Sequence, residues 1–193
     1  MDIHNRTGGN PGDGDGRGGD EVTLRPVTAE DLDRFDAEFA GPEGPGPYQW
    51  FGWTPTLRLR ELHAQRGLLG GDENMLSVTA GGELAGRVEW FRRAWGRADT
   101  SWCWEIAIGL FPGARGKGIG TEAQRRLAAY LFTHTRVERI QVTTDADNVP
   151  EQRALEKAGF RLEGRLRRAQ WRAGDWHDQL IFSLLRPEWS EAP

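Results

Sequence analysis

Apolar and polar positions alternate along several short runs of the chain, and elsewhere apolar residues recur at three- and four-residue spacing. The run VTLRPV, residues 22–27, reads as a strand. TAEDLDRFDAEFA follows, with Leu32, Phe35 and Phe39 at helical spacing, Thr28 as cap and Asp31 three residues on. The segment GPEGPGPYQWFGW, residues 41–53, is too rich in Gly and Pro for regular structure, yet it carries Tyr48, Trp50, Phe51 and Trp53. Thr54 and Pro55 suit the cap and first turn of a second helix ending near Gly67.

NMLSVTAGGELAGRVEWF predicts a hairpin turning at Gly81 and Gly82, and SWCWEIAIGLF, residues 101–111, a further strand. PGARGKGIGTEAQRRLAAYLF is a glycine-dense loop feeding a helix whose apolar face is Ala123, Leu127, Ala128 and Leu131. RIQVTTDAD reads as a strand, and VPEQRALEKAG as a short helix stopped by Gly159. RLEGRLRRAQWRAGDWHDQLIFSLL closes the chain as a long hairpin around Ala173, Gly174 and Asp175. Strand-rich halves flanking two helices, with no internal repeat, predict one mixed α/β (α+β) domain over residues 21–190. The first twenty residues hold almost nothing that can be buried, so a flexible Gly/Asp-rich tail is expected at 1–20.

Composition sharpens this picture. Apolar content is only 37%, but nine Trp and eight Phe supply large buried areas for a chain of 193 residues. No run approaches the ~18 apolar residues of a membrane span, and no secretory leader is apparent, so no membrane partner is expected. Cys103 is the sole cysteine, which excludes an intrachain disulfide and suits a reducing, cytoplasmic setting. The net charge of -4 weighs against non-specific nucleic-acid binding and suits cationic substrates. His4, His63, His134 and His177 lack metal-ligand spacing, so no metal is expected.

A loop rich in glycine before a helix is a place for a polyanion. A Walker loop would need Ser or Thr after Gly116 and Lys117, where Gly118 stands; a dinucleotide fingerprint would need glycine at Thr121. The pattern present is R-x-x-G-x-G: Arg115, Gly118, Gly120. Glycines let the backbone approach a ligand, the first-turn N–H groups lack intrahelical partners, and the helix dipole adds positive potential. A pyrophosphate fits there, flanked by Arg115 and Lys117. The same spacing also suits a plain glycine turn before an ordinary helix.

The chain resembles the GNAT superfamily of acyl-CoA-dependent N-acetyltransferases, and within it the branch of ribosomal-protein alanine N-acetyltransferases. The resemblance covers residues 22–189 and is sharpest in IGLFPGARGKGIGTEA and DNVPEQRALEKAGFRLEG. In the second stretch N-x-x-x-x-R-x-x-E-K-x-G-F falls on Asn148, Arg153, Glu156, Lys157, Gly159 and Phe160. The resemblance implies a GNAT fold: a mostly antiparallel, twisted sheet of about seven strands, splayed in the middle and flanked by helices. It implies acetyl-CoA as co-substrate, with its pyrophosphate on Arg115, Gly116, Lys117, Gly118, Ile119 and Gly120. It further implies that Ile108 and Leu110 offer backbone groups to the pantetheine arm, and that Asn148 and Arg153 lie near pantetheine and nucleotide. Capping and salt-bridging are the alternative roles for the last two.

Acetyl transfer to an amine needs a neutral amine, a stabilised oxyanion and a proton for the leaving thiolate. Glu105 is the expected base: it interrupts an otherwise apolar strand and stands where many members of the branch carry Glu. The alternative is a carboxylate paired with Arg87 or Arg92. Asp145 and Asp147 come second as bases, with turn and capping roles ahead of catalysis. Many members carry a tyrosine acid where this chain has Leu155; Tyr130 is expected in the core, Tyr48 is a weak candidate, and the acid stays unassigned. Cys103 is expected to be an inert strand residue. An aromatic wall of Tyr48, Trp50, Phe51 and Trp53, with Trp102 or Trp104, is expected beside an apolar or cationic acceptor. Three functional readings follow: acetylation of a small-molecule amine, acetylation of a protein N-terminus, and a non-catalytic acyl-CoA- or RNA-binding module. The last rests on Arg161, Arg165, Arg167, Arg168 and Arg172 around Trp171, although alternation there favours a solvated strand face. A homodimer and an acyl group longer than acetyl both stay open.

Overall fold

Seven strands and four α-helices follow the pattern of apolar positions in a computed structural model that describes residues 21–53 and 56–189. The tail expected at 1–20, His4, and the helix start at Thr54 and Pro55 lie outside the described residues. The order is β1 (Val22–Pro26), α1 (Ala29–Glu38), α2 (Leu57–Arg66), β2 (Glu73–Ala80), β3 (Glu83–Ala94), β4 (Trp102–Leu110), α3 (Ile119–His134), β5 (Arg139–Asp145), α4 (Val149–Lys157), β6 (Arg161–Arg172) and β7 (Asp175–Leu185).

Local chemistry explains the boundaries. Thr28 and Asp31 form a reciprocal capping box at α1. Burial pushes the Asp31 carboxyl up, but bonds from Arg25, the Thr28 N–H and Ser77 outweigh it and hold the group well below the usual carboxylate range. Gly81 (φ 58°) and Gly82 (φ 85°) make the two-residue turn of β2–β3, and Ala173 (φ 51°) with Gly174 (φ 86°) the turn of β6–β7. In contrast α2 buries none of its residues and leaves Leu57 exposed, so it is anchored weakly.

The strands form one sheet in the order β1-β2-β3-β4-β5-β7-β6. Every neighbouring pair is antiparallel except β4 and β5, which α3 connects as a crossover. That parallel pairing holds at only two positions, Trp104↔Ile140 and Glu105↔Gln141. Beyond them β4 stays with β3 as far as Leu110, while β5 stays with β7 as far as Asp145, and the sheet opens between them. The architecture is the splayed, mostly antiparallel seven-stranded sheet that the resemblance implies.

One face carries the larger core, where Leu127 and Leu131 of α3 meet Trp90, Trp104, Ile106, Ile140 and Phe182. Each such side chain contributes about 1.5–3 kcal/mol of transfer free energy. On the other face Leu32 and Phe35 of α1 pack with Met75 and Phe111. Gly86 permits a tight crossing between β3 and β4: a Cβ there would stand 2.2 Å from the Gly109 carbonyl oxygen.

Candidate active site

The splay leaves one edge of β4 without a strand partner, and its backbone groups must bond elsewhere. The Ile108 carbonyl accepts the Gln49 side-chain N–H at 3.0 Å, and the Leu110 carbonyl accepts Arg115 Nε at 3.0 Å. A second Arg115 nitrogen donates to the Gly44 carbonyl. Arg115 is thus turned back onto the Gly/Pro loop, and its burial lowers its pKa. It still lines the cavity in front of the glycine loop, with two of its nitrogens bonded to backbone carbonyls.

The loop ahead of α3 has the conformation its glycines permit. Gly116 (φ 73°) and Gly118 (φ 81°) are left-handed, and Gly118 caps the helix without a side chain. The first helical bond runs from the Glu122 N–H to the Gly118 carbonyl at 3.2 Å, so the N–H groups of Ile119, Gly120 and Thr121 have no helical acceptor. Gly120 and Thr121 line a cavity of 630 Å³ together with Arg115, Gly118, Asn148, Arg153 and Lys157. Lys117 is exposed and lies outside this lining, and the Ile119 side chain is buried in the core, leaving only its N–H. Lys157, at the end of α4, joins Arg115 and Arg153 as a cation at the cavity, and sequence reasoning did not place it there. Asn148 caps α4, its Oδ1 accepting the Glu151 N–H at 3.4 Å and its Nδ2 donating to Thr144 Oγ1 at 3.2 Å.

A second cavity, of 470 Å³, lies on the α1 side of the splay, bounded by Trp50, Phe51, Phe91, Glu89, Gln170 and Gln179. The two cavities share Tyr48, Gln49, Ile108 and Asn148, so they meet at the free edge of β4. A third, of 420 Å³, lies under α2 and shares Arg87, Glu89 and Phe91 with the second.

Several expected site residues stand elsewhere. Glu105 is 6% exposed and lines none of these cavities. Its Oε2 accepts Arg93 Nε at 2.7 Å and Gln141 Nε2 at 3.0 Å, and its Oε1 accepts Thr143 Oγ1 at 3.2 Å. It is buried among these three donors, and its ion-pair partner is Arg93 rather than Arg87 or Arg92. Two carboxylates do reach the second cavity: Asp145, and Glu89, which is half-buried and paired with Arg87 at 2.6 Å. Its signal was the alternation in β3, where Val88 and Trp90 enter the core and Arg87, Glu89 and Phe91 face the opposite way. Trp104, 8% exposed, packs into the α3-side core with Trp102 against it, so neither joins an aromatic wall. Trp53 is 79% exposed and touches the site only through Trp50, its ring 5.2 Å away. Tyr48 and Trp50 do line the second cavity.

Asp145 is buried against the Arg172 guanidinium and also accepts the Asp147 N–H, which makes it a turn residue. Arg172 further donates to the Pro47 carbonyl and stands 5.6 Å over the Tyr48 ring, tying the aromatic loop down. Arg165 pairs with Asp178 and Arg161 with Glu188, so three guanidiniums of the basic hairpin are engaged. Cys103 is buried, and burial pushes its thiol pKa up. Tyr130 is only partly covered, packed on Trp90 and His134, rather than in the core. Among the described residues no helix is long and apolar enough to cross a membrane.

The acetyltransferase (GNAT) domain model matches residues 21–161. A probable N-acetyltransferase of Bacillus subtilis, YjcK, is 34% identical over 105 residues, covering 54% of this chain and 56% of that protein. The chain spans about half the length of the curated relatives it matches. A crystal structure of spermidine N-acetyltransferase from Vibrio cholerae in complex with CoA and spermine superposes with a TM-score of 0.72 at 23% identity, covering 86% of this chain and 96% of that one. Mycobacterium smegmatis RimJ in complex with CoA-disulfide superposes at 0.71 and 23% identity, covering 89% and 85%. At such identity the likeness is one of fold.

Proposed function

The chain belongs to the GNAT acetyltransferase family, and from that membership we propose that it moves an acetyl group from acetyl-CoA to the primary amine of a small molecule. The observation that carries this reading is the meeting of two cavities at the free edge of β4, one built for a diphosphate and one walled by aromatics. In it the N–H groups of Ile119, Gly120 and Thr121, with Arg153 and Lys157, hold the diphosphate. The exposed edge at Ile108 and Leu110 aligns the pantetheine arm by strand-like hydrogen bonds. The thioester supplies an activated acyl carbon.

Glu89 takes the proton that the amine sheds, because it has one ion-pair partner and keeps lone pairs free, whereas Asp145 is consumed by Arg172 and the Asp147 N–H. Each carboxylate of the acceptor cavity already has a guanidinium beside it, which favours an amine on an apolar body over a polycation. The single buried thiol fits a cytoplasmic protein. A second reading, acetylation of a protein N-terminus, is favoured by the amides of Gln170 and Gln179 in the cavity wall, which match the donors and acceptors of a peptide backbone. An amine panel with acetyl-CoA, read by thiol release, tests the proposal. Turnover with aryl- or alkylamines supports the first reading, and turnover confined to peptides with free α-amines supports the second. Absence of thiol release with every amine overturns both.

A further inference from the structure

Polar side chains, and not apolar ones, hold α2 in place. Arg60 pairs with Asp33 and Asp36 of α1, Arg58 pairs with Glu73 at the start of β2, and His63 Nε2 meets the Val27 carbonyl oxygen at 3.0 Å. Leu59 and Leu62 face the smaller core yet are only half-buried. Between these two leucines and Leu68, Met75 and Phe91 lies the cavity of 420 Å³. Its size falls within the range of small-molecule sites, and the ion pairs along α2 prop it open.

We infer that this pocket takes the alkyl chain of a long-chain primary amine whose nitrogen lies in the second cavity, an inference that rests on the acetyl-transfer reading above. The pocket and the second cavity share Arg87, Glu89 and Phe91, alternate residues on one face of β3. The sheet register makes the junction explicit. Glu89 stands between Met75 of β2 and Ala107 of β4. Met75 lines the pocket and Ala107 lines the second cavity, so Glu89 marks the boundary between them. An amine beside Glu89 therefore faces β4 with its nitrogen and leads its chain across β3, past Met75 and Phe91, and under α2.

The lining suits an aliphatic chain. Charged groups lie at the margin: Asp72, Glu73 and Arg92 are exposed, Glu73 is paired with Arg58, and Arg92 donates to the Ala98 carbonyl and stacks over Trp102. Leu68 and Met75 are buried, and the flexible thioether of Met75 adapts to chains of different length. An alkyl chain gains by leaving water there, whereas a charged one loses its hydration. The rigid aromatics Tyr48, Trp50 and Phe51 belong to the other cavity, so the chain and not the head of the acceptor is read under α2.

Thiol release with acetyl-CoA and n-alkylamines from ethylamine to octylamine tests this. Once the chain enters the pocket, kcat/KM should rise about three- to fourfold per methylene and level off when the pocket is full. In Leu62→Gln the ratio of octylamine to ethylamine values should fall roughly tenfold. Leu57→Gln, on the same helix but outside the lining, should keep that ratio. Met75 supplies a readout without turnover. The chain has two methionines, so protein labelled at the methionine methyls gives two signals, and Met75→Leu assigns the one in the pocket wall. Octylamine should shift that signal severalfold further than ethylamine does. A flat series in an active enzyme, an unmoved Met75 methyl at saturating octylamine, or an undiminished gradient in folded Leu62→Gln overturns the inference alone. Wild type that releases no thiol with any amine overturns the transfer reading and the inference with it.

Discussion

Exchanging Glu105 and Glu89 one at a time for Gln separates a structural carboxylate from a chemical one. In Glu105→Gln the amide oxygen can occupy the place of Oε2 and accept from Arg93 and Gln141, while the NH₂ faces Thr143, whose hydroxyl can turn to accept. The three contacts survive and only the charge is lost. Arg93 is 53% exposed along its side chain, so it can turn to water instead of being stranded as an unpaired buried ion. A charge-assisted bond contributes about 1.5–3 kcal/mol and a neutral one about 1, so the loss should be about 1–2 kcal/mol. For a chain of this size that lowers Tm by roughly 2–8 °C. Urea unfolding should show it, while kcat per folded molecule stays within about twofold. Glu89→Gln should behave inversely. Its partly exposed pair with Arg87 contributes at most about 1 kcal/mol to stability, but turnover should fall roughly 10²-fold. A hundredfold loss of kcat in Glu105→Gln with an unchanged unfolding midpoint would return the base to β4 and refute the assignment.

Gly86→Ala should prevent β3 and β4 from closing, because the added methyl meets the Gly109 carbonyl oxygen at 2.2 Å; loss of the cooperative thermal transition, or of soluble protein, checks it. At Gly118 an added Cβ meets no atom within 4 Å, so left-handed backbone strain of about 2 kcal/mol is the cost expected of Gly118→Val, and its side chain obstructs the cradle; calorimetry should detect no coenzyme A binding to the folded variant. Asp31 has its folded pKa below the unfolded value, so its contribution is full above the ordinary carboxylate range and is lost progressively as pH falls from there toward the lowered folded value. Asp31→Asn should therefore flatten the acid side of the stability–pH curve in urea titrations.

Features set by near neighbours along the chain are legible in the sequence alone: the Thr28–Asp31 capping box, the Gly81–Gly82 turn and the cradle at Gly118. Each is decided within a few residues, where spacing and side-chain type carry the physics. What the sequence hides depends on partners far along the chain. Alternation in β4 separates Trp104 and Ile106 from Cys103 and Glu105, but it does not say that α3 covers the first set. Nor does it say that Arg93 and Gln141 close over Glu105. Arg115, beside the glycines in sequence, is bonded to the Leu110 carbonyl, and Lys157 arrives from another helix to line the same cavity.

Arg115 bonds back onto β4 for a reason that also explains the Gly/Pro loop. A splayed sheet leaves carbonyls without a strand partner, and bare peptide groups at a part-buried edge are costly. Gln49 and Arg115 cap two of them, at Ile108 and Leu110, and Arg115 reaches on to Gly44 while Arg172 reaches Pro47. The loop is thus held by side chains bonded to the same strand edge that a bound arm would pair with. A strand-like ligand that displaces Gln49 from Ile108 would free the residue beside Tyr48 and Trp50, at the place where the two cavities meet. A loop of Gly and Pro, with no helix or strand of its own to defend, can yield at that point without unfolding its neighbours.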